Sequence, residues 1–142
     1  MRGTTHIGYL TYAKDFLSSF KIINEKCPNI TEKTNVKYFL LFHSMELAFK
    51  SFLLYRGYKV DEIKKLKHDL VKAIDLCKKE GILNLYKLDN QFLKSISHMN
   101  EYYRTKQFEY LFGGFKIYIP PEEFIEPINK LLNCLENKYR HK

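Results

Sequence analysis

Tryptophan is absent from this chain, and cysteine occurs only three times, as Cys27, Cys77 and Cys134. The three are scattered, odd in number and without a CxxC pair. That pattern argues against a disulfide framework and a thiolate zinc site, and it suits a reducing compartment. No apolar run reaches membrane-spanning length without a charge inside it, and the first residues lack a signal-peptide core. The expected location is therefore cytoplasmic, with no membrane contact. Acidic residues are outnumbered, 16 Asp and Glu against 24 Lys and Arg, which leaves a formal charge of +8. Such an excess points toward a polyanionic partner, RNA or a nucleotide. Enzyme signatures are also missing. There is no P-loop, no dinucleotide fingerprint, no HExxH and no His/Cys set at metal-ligand spacing, so no metal and no cofactor are expected. Ser44 and Ser51 lie near a histidine but lack the sharp turn that exposes a nucleophilic serine.

What is present is enough for one folded domain spanning residues 1–142, with 45% hydrophobic residues and 11 each of Tyr and Phe. Apolar residues recur at helical intervals from Thr5 to Lys26, and Cys27-Pro28-Asn29 breaks the pattern. A second helix follows, capped by Thr31 or Thr34 and stopped at Gly57. A short helical piece is expected over Asp61 to Leu66, a better helix over Asp69 to Glu80, and another over Leu88 to Thr105. The stretch Tyr110 to Ile119 is β-prone and broken by Gly113-Gly114, so it reads as an extended loop. Pro120-Pro121 then opens a last helix to Tyr139, in which Pro127 should produce a kink or a later start. The expected fold is all-α, an up-and-down bundle of four to five helices with a short extended loop before the last one. Tyr110, Phe112, Phe115 and Tyr118 in that loop form a candidate dimer surface if they are exposed.

The second helix is the centre of the pattern, apolar nearly all round, with Val36, Leu40, Leu47 and Leu54 in one stripe and Phe39, Phe42, Phe49 and Leu53 in another. Inside it lie His43, Glu46 and Lys50, at i, i+3 and i+7, where charges are disfavoured unless they find partners. Two further polar phrases accompany them. His68-Asp69 stands at the start of a helix, where Asp69 suits an N-cap and His68 can hydrogen-bond Glu46. Tyr103-Arg104 stands at the end of another, where the Arg104 fork suits a phosphate or carboxylate and equally answers a helix dipole. His43, Glu46, Lys50, His68, Asp69, Tyr103 and Arg104 are thus the candidate pocket residues. Arg104 and Lys50 would meet phosphate, Glu46 would orient them, and the histidines would supply hydrogen bonds. An internal structural network is the competing reading of the same residues.

At these phrases the chain resembles the HEPN superfamily of prokaryotic helical domains. The resemblance rests on His43-x-x-Glu46-Leu47-x-x-Lys50-x-x-Leu53, then His68-Asp69-Leu70, then Tyr103-Arg104 before a Pro-initiated last helix, in that order across residues 5–138. It implies a helical bundle that is often a homodimer. It also implies a role in toxin–antitoxin, phage-defence or RNA-processing systems, with an antitoxin or a nucleotidyltransferase as partner. Many members of that family are metal-independent endoribonucleases with an Arg and a His separated by four to six residues. This chain departs from that motif: Arg104 has no His in range, Arg56 and His68 are too far apart, and Arg2 and His6 are one residue short. The catalytic pair is not carried over. The expectation is a non-catalytic RNA-, nucleotide- or partner-binding domain, with a divergent endoribonuclease or a pure interaction protein as alternatives.

Overall fold

Thr5 accepts a hydrogen bond from the Gly8 amide at 2.9 Å and so caps the first helix, the position at which a Ser or Thr oxygen satisfies an otherwise orphaned donor. The computed structural model describes residues 5–29, 31–108 and 118–141. Among these the fold is an all-α bundle without strands: α1 (His6–Lys26), α2 (Thr34–Tyr55), α3 (Val60–Lys64), α4 (Leu70–Lys79), α5 (Asn90–Arg104) and α6 (Glu122–Arg140). A single 3-10 turn, Ile82–Asn84, follows α4. The periodic stretches of the sequence become helices within a residue or two of their expected ends, and α3 is the short piece. Of the loop expected over Tyr110 to Ile119, Tyr110, Phe112, Gly113, Gly114 and Phe115 lie outside the described residues.

Helix α2 is central, packing against α1, α3, α4 and α6. Its inward row is Tyr38, Leu41, Phe42, Met45, Ala48, Phe49, Phe52 and Leu53, all buried. The stripe containing Val36 is the outer one, and Val36 itself is 47% exposed. With apolar residues on every side, periodicity could not rank the faces of α2; the side that α1 and α6 cover decides. Small side chains allow the α1 contact to be close. Ser44 donates to the Ala13 carbonyl at 2.6 Å and Ser51 to the His6 carbonyl at 2.7 Å, so these serines bind α1 to α2.

Neither expected threonine caps α2. Its N-cap is Lys33, in the left-handed region at φ 52°, with no side-chain hydrogen bond. The chain reverses between α1 and α2 around buried Lys37, whose ammonium donates to the carbonyls of Cys27 and Asn29. Those bonds satisfy carbonyls beyond the end of α1, which is where a cation belongs. At the other end of α2, Gly57 adopts φ 101°, a conformation that costs glycine little. Helix α6 begins at Glu122, with no later start, and runs through Pro127. Tyr118, offered above as an exposed aromatic, is half-buried: its ring stacks on Tyr38 with centroids 5.0 Å apart, and its hydroxyl donates to Asn35. The Tyr38 hydroxyl in turn donates to the Ile119 carbonyl, fixing the entry to α6.

Candidate functional site

Helical spacing on α2 turns His43, Glu46 and Lys50 to one side, and the fold brings α5 and the turn before α4 against that side. Glu46 is 4% exposed. Its Oε2 accepts from the Lys50 ammonium at 2.7 Å, and its Oε1 accepts from His68 Nδ1 at 2.9 Å and from the Tyr103 hydroxyl. His43 Nδ1 lies 3.8 Å from the carboxylate, too far for a direct hydrogen bond, but 2.9 Å from the Tyr103 hydroxyl. Tyr103 is therefore the bridge between His43 and Glu46.

An ionised carboxylate can only accept, so each of its neighbours must donate. Tyr103 spends its proton on Glu46, and its oxygen then accepts from His43. Both imidazoles accordingly carry a proton on Nδ1. Burial by itself would raise the Glu46 pKa. His43, His68 and the Lys50 charge outweigh it and hold the carboxyl well below the usual carboxylate range. Lys50 is equally committed. Its ammonium donates to the Lys67 carbonyl as well as to Glu46. Lys67 has φ 52°, a left-handed turn that costs a non-glycine residue about 1 kcal/mol or more. The bond from Lys50 helps hold it there. His43 is also fixed by aromatic rings, stacked on Phe39 with centroids 5.3 Å apart and edge-on to Phe16 at 4.5 Å.

Asp69 caps α4 as expected, accepting from the Lys72 amide at 3.2 Å. It is joined there by Asn100, which the sequence reading missed. The Asn100 amide donates to Asp69 at 3.1 Å and accepts from the Leu70 amide at 3.0 Å, so one buried side chain of α5 completes the start of α4. A lone Asn on an amphipathic helix carries no sequence mark that separates it from a surface residue. Its position one turn before Tyr103 and Arg104 is the only signal available.

Arg104 is not drawn to Glu46. Its Nε and a terminal nitrogen bind the two carboxylate oxygens of Glu101 at 2.6 and 2.8 Å, on an exposed face of α5. That pairing lowers the Glu101 pKa. The expected set thus divides: His43, Glu46, Lys50, His68 and Tyr103 form one network, Asp69 adjoins it through the α4 turn, and Arg104 stands outside it. The expected phosphate role of Lys50 needs correction for the same reason, because its ammonium is buried and bonded on both sides. His43 and His68 remain partly open, with side chains 21% and 34% exposed.

Among the described residues no group of three His, Cys, Asp or Glu side chains could hold a metal ion. No described helix is long and apolar enough to cross a membrane. Compared with known proteins, the chain matches no family model, no curated protein and no solved structure.

Proposed function

We propose that this chain is a HEPN-like, non-catalytic helical domain that binds RNA or a nucleotide as part of a prokaryotic defence or toxin–antitoxin type system. In this reading it works as a homodimer, alongside an antitoxin or nucleotidyltransferase partner. The observation that carries the proposal is the internal closure of the Glu46 network. Glu46 has three donors, Lys50 two acceptors, and Arg104 a bidentate carboxylate of its own. No cation in this set is left to stabilise a cleaving phosphate, so the network serves the fold and binding falls to the surface. The surface beside it is basic, with Lys64, Lys65, Lys67 and Lys72 exposed around the α3–α4 junction. Lysine side chains of this kind grip phosphates without reading bases, and that binding weakens with added salt because releasing condensed counterions into a saltier solution gains less entropy.

The test is fluorescence anisotropy with a labelled single-stranded RNA across a salt series. The wild-type chain binds, and replacing Lys64, Lys65, Lys67 and Lys72 by Ala flattens the salt slope by about 3, at ~0.7 per phosphate contact for single strands. Equal slopes for the two proteins would reject this surface as the binding face. A divergent endoribonuclease is the second reading, favoured by the two partly open imidazoles tied to one carboxylate. Its test is RNA cleavage in chelator; activity lost on His68→Ala would establish it over binding alone.

A further inference from the structure

At the far end of α4 from the Glu46 network, a groove of about 440 Å³ opens where the C-terminal ends of α2, α4 and α6 meet. Arg56, just past α2, lines it together with Lys79 from the last turn of α4 and Lys138 from the last turn of α6. All three are exposed, and none belongs to an ion pair among the described residues. Glu80, the only acidic side chain among the described residues of the lining, accepts a hydrogen bond from the Tyr58 hydroxyl at 2.9 Å. The formal charge of the lining is therefore three cations against one engaged carboxylate. A cation near a helix C-terminus is favoured by the helix dipole for its own sake. That accounts for one at each end, but not for three helices delivering theirs to one groove.

We propose that this groove binds a small phosphorylated molecule carrying a diphosphate. Three points favour a small diphosphate over a nucleic-acid strand. The volume falls within the range of small-molecule pockets, about 300–1,000 Å³. The cations come from three separate elements around one cavity instead of tracking along a surface. A diphosphate carries enough charge to engage all three, with the Arg56 fork suited to two phosphate oxygens at once and the lysines acting as point charges. Asn84, also in the lining, adds a side-chain amide that can donate to a further oxygen. The site does not depend on the RNA reading, since it uses other residues at another end of the bundle.

Isothermal titration of the whole chain with sodium pyrophosphate tests this. The expected result is saturable binding that falls about tenfold in each of Arg56→Gln, Lys79→Gln and Lys138→Gln, the loss typical of one hydrogen bond to a charged group. Lys79→Arg keeps the affinity, and Lys94→Gln, on an exposed position of α5, leaves it unchanged. All four positions are exposed, and circular dichroism melts of the five variants should match the wild type, which separates lost binding from lost folding. ADP should displace pyrophosphate, as a nucleoside diphosphate presents the same group. Absence of saturable pyrophosphate binding overturns the proposal, as does binding that survives all three neutralising substitutions. Displacement of pyrophosphate by a short RNA with free 5′ and 3′ hydroxyls, but not by ADP, overturns it in favour of a strand.

Discussion

Glu46 is the residue on which the interior depends. A carboxylate 4% exposed would be intolerable alone, and three donors make it tolerable. Removing it strands Lys50 in the interior, and breaking such a buried pair costs on the order of 3–5 kcal/mol. Urea unfolding of Glu46→Ala should show that loss; a change under ~1 kcal/mol would mean that the pair behaves as a surface one. Tyr103→Phe keeps the ring but removes the bridging hydroxyl, leaving His43 and Glu46 each one bond short. Its expected cost is about 1–3 kcal/mol, the penalty for an unsatisfied buried polar group. The pH dependence follows from the sign of the Glu46 shift. Its pKa is lower folded than unfolded, so its contribution is fully present above the unfolded carboxylate value and is lost as pH falls below that. The gap in stability between wild type and Glu46→Gln should therefore be widest near neutral pH and shrink on acidification into the range below ~4.

At the scale of elements, the junction of α3, α4 and α5 is held by side chains reaching backbone groups. Asn100→Ala orphans the Leu70 amide and removes a donor from Asp69, so α4 loses part of its N-cap. The expected loss is about 1–3 kcal/mol, with amide exchange accelerated first at the start of α4. An unchanged exchange rate there would place the loss elsewhere. Gly57→Ala is a cleaner case, because a Cβ at that position would meet nothing within 4 Å. Any destabilisation is then conformational, about 1 kcal/mol for forcing φ 101° on a residue with a side chain.

Much of the architecture was legible in the residue pattern, for identifiable reasons. Breakers at Pro28, Gly57 and Gly81 bound the periodic runs, and Asp69 at the head of α4 is an ordinary cap. The His43, Glu46 and Lys50 spacing placed three groups on one face, and His68 was a reachable partner for Glu46. What did not show was anything set by tertiary context. Lys33 starts α2 in a left-handed conformation that no threonine rule anticipates. Asn100 looks like any polar helix residue, and the ranking of α2's apolar faces depends on which neighbours cover them. Arg104 is answered locally by Glu101, three residues away on the same helix and at ion-pair spacing, a choice between near and distant partners that the residue pattern leaves open.

On the scale of the whole molecule, the described residues bury charge at two places, the Glu46–Lys50 pair and Lys37 at the turn between α1 and α2. Lys50 is matched by Glu46, and Lys37 carries one unit of the +8 inside the fold, held by carbonyls, so most of the positive excess belongs to exposed side chains. Folding and binding should for that reason respond to different substitutions. The most direct test measures both on one preparation of Glu46→Gln: unfolding free energy in urea, and RNA affinity by anisotropy at a temperature where circular dichroism shows the variant folded. Stability should drop clearly while RNA affinity stays unchanged. A tenfold or greater loss of affinity at unchanged stability would instead place the Glu46 network in the binding site itself.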